Sequence, residues 1–176
     1  MLIGLMADTH DRLPLIKKAI DVLNEYEVEL VLHAGDYVAP FVIPYLARLN
    51  AKVIGVFGNC DGDHFLLLKR ATETKGHIEL RGRFAEIMCS GLRIALLHGD
   101  DEELLNSLIS CQGYDLIVHG HLHRPLIRTA ERTLIICPGE VCGYLYGRST
   151  VGLFNTDDMK VNIIDVMEEE KRGENR

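Results

Sequence analysis

The sequence contains no Cys-x-x-Cys pair, no run of basic residues and no apolar stretch of membrane-spanning length. Its five cysteines, Cys60, Cys89, Cys111, Cys137 and Cys142, are odd in number and scattered. That argues against a disulfide framework or a structural zinc finger and fits a reduced cytosol. Lys and Arg total 19 against 26 Asp and Glu, a formal net charge of −7. A general nucleic-acid binder would carry the opposite balance, so none is expected. A bilayer-spanning helix needs about 20 apolar residues, so no membrane association is expected either. Met1 leads directly into Leu2-Ile3-Gly4-Leu5-Met6, with neither a charged leader nor a cleavage motif, and a cytoplasmic protein is expected. Internal repeats and Gly/Ser/Pro linkers are also missing. The expected organisation is one domain over 1–167 with a charged, apolar-free and frayed tail over 168–176.

What is present alternates. Of the 176 residues, 47% are hydrophobic, enough for a substantial core. Leu2 to Ala7, Leu30 to Ala34 and Lys52 to Phe57 are short apolar runs of strand length. Between the first two, Leu13, Ile16, Ala19, Ile20 and Leu23 recur as one helical face. Pro40 opens a second helix carrying Phe41, Val42, Tyr45, Leu46 and Leu49 inward. This order predicts two βαβ units and a parallel sheet. A helix over 63–71 with Phe65, Leu66 and Leu68 as its apolar side follows. Then come strands over 78–80, 84–89 and 92–97, the last two joined by Ser90-Gly91 as a hairpin. A helix over 102–110 begins with acidic residues, as the macrodipole prefers. Strands over 116–118, 126–129, 133–137, 150–154 and 161–166 complete an α/β pattern of two sheets with flanking helices.

Five of these strands stop at polar residues of one chemical kind: Asp8-Thr9-His10, Gly35-Asp36, Gly58-Asn59, His98-Gly99 and Gly120-His121-Leu122-His123. Each alone is weak, since Gly-Asp and Gly-Asn are common turns and a strand-terminal histidine often only caps a carbonyl. Their recurrence at C-terminal strand ends, where open α/β sheets bind ligands, is the signal. Together they offer two carboxylates, one amide oxygen and four imidazoles. Seven donors exceed one four-coordinate zinc and suit two ions sharing a carboxylate. Mixed oxygen and nitrogen donors favour Mn²⁺, Fe, Zn²⁺ or Ni²⁺ over Ca²⁺. Two such ions about 3.5–4 Å apart clamp a phosphoryl oxygen and supply a hydroxide for in-line displacement.

The motifs Asp8-x-His10, Gly35-Asp36, Gly58-Asn59, His98 and Gly120-His121-x-His123 resemble, in order, the calcineurin-like metallophosphoesterase signature. Gly58-Asn59-Cys60-Asp61 and Pro138-Gly139-Glu140 are similar to the small single-domain phosphodiesterases of bacteria and archaea. The resemblance implies a two-sheet α/β sandwich flanked by helices, with two divalent ions, Mn²⁺ foremost, at the strand ends. It implies that Asp8, His10 and His123 hold one ion, that Asn59, His98 and His121 hold the other, and that Asp36 bridges them beside a shared hydroxide. The implied activity is hydrolysis of a small phosphate diester. Larger members carry a histidine acid where this chain has Cys60, and asparagine often stands where this chain has Cys137.

Other residues draw plainer readings. His33 and His119 are expected in the core or behind the donors, and His64 and His77 on the surface. Asp61 either orients a ligand or caps the next helix, with capping preferred. Arg124 reaches a phosphate or is an ordinary surface group, and Cys89, Cys111 and Cys142 fill core space. Tyr144 and Tyr146 offer a pocket wall or a contact between copies in a homo-oligomer. The alternative function from another class is a non-catalytic metal-binding interaction scaffold of the same fold. A metal-dependent nuclease is a third reading, for which the acidic balance provides no polyanion groove.

Overall fold

The computed structural model describes residues 1–168; the remainder of the expected tail lies outside the described residues. The chain runs β1 (Leu2–Met6), α1 (Leu13–Glu25), β2 (Leu30–His33), a 3₁₀ turn (Pro40–Val42), α2 (Ile43–Leu46) and β3 (Lys52–Gly55). It continues with α3 (His64–Glu73), β4 (Ile78–Leu80), β5 (Phe84–Cys89), β6 (Leu92–Leu97), α4 (Glu102–Ser110) and β7 (Leu116–Val118). Strands β8 (Pro125–Ala130), β9 (Thr133–Pro138), β10 (Thr150–Asn155) and β11 (Lys160–Asp165) follow. Two mixed sheets result, ordered β11-β10-β1-β2-β3-β4 and β5-β6-β7-β9-β8.

Side-chain alternation sorts the apolar residues into three layers. Ile3, Leu5, Leu30, Leu32 and Ile54 from the first sheet meet Ile94, Leu96, Leu116 and Val118 from the second. On the outer side of the first sheet, Met6, Val31 and Val53 pack beneath Ile16, Ala19, Ile20 and Leu23 of α1. Ala95, Leu97 and Ile117 face the other way, against Leu105, Leu108 and Ile109 of α4. Both of the later helices are capped in the same manner: Asp63 accepts from the Leu66 N–H and Asp101 from the Leu104 N–H, each at 2.9 Å. In the β5–β6 hairpin, Ser90 and Gly91 both take positive φ, as a two-residue turn of the primed type requires.

Three expectations need correction. The helix expected from Pro40 to Leu49 is a 3₁₀ turn followed by a four-residue helix. Pro44 has no N–H to carry a helix across that point, and Phe41 turns outward, 72% exposed. The buried side of α3 is Leu67 and Ala71, whereas Phe65 is 78% exposed. Cys111 is exposed rather than part of the core.

Strands β1, β2 and β3 of one sheet and β6 and β7 of the other deliver their C-terminal ends to one edge of the sandwich. Backbone bonds lace these ends together: the Asp8 N–H donates to the Gly35 carbonyl and His10 to Asp36, both at 3.0 Å, and Gly120 donates to His98 at 2.8 Å. The loop after β9 joins them through the Val141 and Cys142 N–H groups, which donate to Ala7 and Asp8 at 3.1 and 3.0 Å.

Candidate metal centre

At this edge the backbone leaves ordinary conformations. Asp8, His10, Asp36, His121 and His123 all have φ between 39° and 67°. Non-glycine residues seldom adopt this left-handed region, and its concentration at polar strand ends marks a functional site. Glycine clears the space. A Cβ on Gly58 would lie 2.1 Å from Asp36 Oδ1, so the Asp36 carboxylate can sit here only because that side chain is missing.

Asp8, His10, Asp36 and His123 each present a ligand atom within 4.8 Å of one another. Asp36 Oδ2 stands 3.4 Å from His10 Nε2 and 3.4 Å from His98 Nε2. His98 Nε2 in turn lies 3.0 Å from Asn59 Oδ1. The His121 ring sits edge-on to His98, with centroids 5.2 Å apart. The seven residues singled out by sequence thus converge on one crevice, with Asp36 at its middle.

Hydrogen bonds behind the imidazoles set their tautomers. His98 Nδ1 donates to the Ala34 carbonyl at 2.8 Å and His123 Nδ1 to Glu140 Oε2 at 2.8 Å. With Nδ1 engaged behind the ring, Nε2 is the nitrogen turned towards the crevice in both, the arrangement that metal-binding histidines use. Burial lowers the pKa of His10, and partial burial that of His121, whereas Asp36 raises that of His98 against the effect of its burial. Burial lifts the Asp8 carboxyl to about 6 against the pull of His98 and His123. Burial also acts to raise Asp36, but His98 and the Cys60 N–H outweigh it and hold that carboxyl well below the usual range.

The donors fit a cation. Asp8 Oδ1 and His10 Nε2 are buried and have no hydrogen-bond partner among the described residues. An orphaned carboxylate oxygen costs several kcal/mol of lost hydration unless positive charge arrives. Facing lone pairs of oxygen and nitrogen are the donor set that mid-row divalent ions take.

The structure corrects the reading of Asp61. It does not cap α3, because Asp63 does. Its carboxylate, 7% exposed, accepts from the N–H groups of Asp36 at 3.1 Å, Val38 at 2.7 Å and Gly58 at 2.8 Å. It therefore holds the two loops that carry Asp36 and Asn59. His33 is fully buried, accepts the Gly35 N–H at 3.1 Å and stacks on Tyr37 at 4.0 Å, a packing role. His77 is half-buried, its Nε2 2.8 Å from the Leu49 carbonyl.

Glu140 is the residue whose role the sequence concealed. Fully buried, its carboxylate takes His123, the Cys142 thiol at 3.2 Å and the backbone N–H groups of Tyr144, Leu145 and Tyr146 at 2.7–3.1 Å. A sixth strand, β9, thus contributes to the site through the residue two beyond its end. Arg12 was also missed: it donates to the Cys142 carbonyl and lies over the Tyr144 ring, 4.9 Å from its centroid. Nothing in its sequence neighbourhood signals that contact, which spans most of the chain.

A two-sheet sandwich whose strand ends gather carboxylates and imidazoles into one crevice is the architecture of metallophosphoesterases. Residues 1–159 match the calcineurin-like phosphoesterase superfamily domain, and the chain belongs to that superfamily. It is 38% identical over 157 residues to a phosphodiesterase of Methanocaldococcus jannaschii, covering 89% of this chain and 94% of the relative. The solved structure of an archaeal phosphodiesterase superposes with a TM-score of 0.89 at 36% identity, covering 94% of this chain and 99% of the other. A phosphoesterase from E. coli, at 20% identity and a TM-score of 0.70 over 94% of this chain and all of that one, shares the fold. The protein is a hydrolase of the metallophosphoesterase class.

Proposed function

We propose that the protein is a dinuclear metal-dependent phosphodiesterase. In this reading Asp8, His10 and His123 hold one ion, Asn59, His98 and His121 hold the second, and Asp36 is shared; Mn²⁺ is the expected metal. The observation that carries it is the place of Asp36 Oδ2, equally distant at 3.4 Å from an imidazole of each set. When bound, two divalent ions supply positive charge for the phosphoryl oxygens and a hydroxide nucleophile at neutral pH.

The chain's own groups do the rest. Ala34, Glu140 and Asp61 fix the donors before substrate arrives, so no reorganisation is needed during reaction. The Cys60 thiol, beside Asn59 at the mouth of the crevice, is pushed up to about 11 by partial desolvation and by the neighbouring Asp36 carboxylate. It keeps its proton at neutral pH and is a poor general acid there. Esters with good leaving groups are favoured. The Methanocaldococcus relative is a phosphodiesterase by name, which supports diesters over monoesters.

The test is hydrolysis of bis(4-nitrophenyl) phosphate and 4-nitrophenyl phosphate by metal-stripped protein before and after Mn²⁺ is restored. Diester turnover that returns with Mn²⁺ and exceeds monoester turnover is expected. Turnover that survives stripping, or a clear preference for the monoester, contradicts the proposal.

A further inference from the structure

Cys142 is fully buried, and its thiol donates to Glu140 Oε2 at 3.2 Å, the same oxygen that takes His123 Nδ1 at 2.8 Å. The sulfur and one ring nitrogen each of His10 and His123 lie within 4.8 Å of one another. The same two imidazoles form a second group within that spacing, with Asp8 and Asp36. Their rings stack on each other with centroids 5.2 Å apart. Asp8 Oδ1, fully buried and without a hydrogen-bond partner among the described residues, lies 3.5 Å from His123 Nε2. That orphaned oxygen marks the imidazole pair as a place where positive charge is wanted. Cys137, the other fully buried cysteine, belongs to no such group among the described residues, and its sulfur faces the Gly120 carbonyl at 3.7 Å. His10 and His123 are thus shared by two donor sets of different chemistry. Carboxylate oxygens suit Mn²⁺, a thiolate suits zinc and softer ions, and imidazole serves either.

We infer that His10, His123 and Cys142 form a soft coordination set for a thiophilic divalent ion, Zn²⁺ or Cd²⁺, which competes with Mn²⁺ for the same two imidazoles. The inference rests on the reading above, in which His10 and His123 hold the first ion. Zn–N bonds of about 2.0 Å and Zn–S bonds of about 2.3 Å set donors about 3.5 Å apart around one ion, so the group closes with movements of about 1 Å. Three protein donors and an open position for water complete a four-coordinate site. Binding replaces the S–H proton, which leaves to solvent, and the thiol's hydrogen bond to Glu140 is lost with it. An ion held in this way takes His10 from Asp36 and His123 from Asp8. Zinc is therefore an inhibitor of the Mn²⁺-loaded protein, and Cys142 is the residue that makes it one.

The test uses the full chain stripped of metal. Titration of wild type with Cd²⁺ is expected to raise an ultraviolet sulfur-to-cadmium charge-transfer band. The band should persist in Cys60→Ser and Cys137→Ser and be missing from Cys142→Ser. Competition between Zn²⁺ and Mn²⁺ gives a second readout. Cys142→Ser keeps a donor for Glu140 but loses the sulfur, so the Zn²⁺-to-Mn²⁺ affinity ratio should fall by at least the roughly 10–100-fold that loss of an orienting partner costs. Cys142→Ala repeats the comparison with an apolar side chain in that buried place. No band in wild type, a band that survives in Cys142→Ser, or an affinity ratio unchanged in both variants overturns the soft set. Wild-type protein that shows the band yet cleaves no phosphate diester with Mn²⁺ overturns the phosphodiesterase reading and leaves the soft set standing.

Discussion

On one side of Asp36, Asp8, His10 and His123 close with it to within 4.8 Å, and Glu140 braces His123 from a fully buried position. On the other side, His98 is tied to the Ala34 carbonyl and meets Asn59, but His121 is exposed, whereas His10, whose ring likewise has no hydrogen bond to any described residue, is only partly exposed and stacks on His123. Both sides draw on the same kinds of donor at the same kind of strand end. They differ in how far the unbraced imidazole is enclosed, His10 partly buried against His123 and His121 exposed. An imidazole held by burial and stacking loses little freedom on binding an ion, whereas an exposed one must first be ordered, so the first side is expected to bind more tightly and the second to exchange.

Removing the shared group should abolish the comparison altogether. Asp36→Asn keeps the shape and deletes the charge between both sets, so both ions are expected to be lost. Activity should then fall by more than the roughly 10–100-fold that loss of a mere orienting partner costs. Metal analysis after gel filtration checks it, and retention of either ion would separate the two sides. The next largest effect comes from treating the sides one at a time. Glu140→Gln should weaken only the tighter ion, by about 10–100-fold, because it removes the charge behind His123. His121→Ala should remove only the weaker ion, since nothing but that ring is lost. Competition against a chelator reads both, and weakening of the same ion in the two variants would contradict the assignment. The smallest effect belongs to Cys60. Cys60→Ala should leave aryl-diester turnover within about twofold, since a neutral thiol offers little acid catalysis. Cys60→His should speed alkyl esters selectively, by at most the roughly 10²–10⁴-fold of a well-placed acid. Loss of turnover in Cys60→Ala with both ions still bound would give the thiol a part in the chemistry.

The asymmetry between the sides also marks what the sequence could tell. Donors at strand ends were legible because a strand that stops abruptly at Asp, Asn or His between glycines is a local pattern. The strand runs themselves, from Leu2–Met6 to Leu116–Val118, were legible from their apolar length. Two sheets were expected, but which strands share a sheet was not legible, because β4 joins β3 while the adjacent β5 starts the second sheet, a choice made by long-range packing. Asp61 was misread because Asp63, two residues later, is an equally good cap, and only the folded loop shows which carboxylate faces Asp36, Val38 and Gly58. Phe41 and Phe65 were assigned inward by helical period. Proline broke the first helix, and in the second the buried face ran through Leu67 and Ala71. Glu140 stood in a recognisable Pro-Gly-Glu motif, yet its bond to His123 exists only once the β9 loop folds back on the β7 end.

The central claim is that Asp36 joins two unequal metal positions. Calorimetric titration of metal-stripped protein with Mn²⁺, repeated on Asp36→Asn, tests it most directly. Two binding events per chain of clearly different affinity, both missing from the variant, are predicted. A single event at saturating Mn²⁺, or two events that survive in Asp36→Asn, would contradict it.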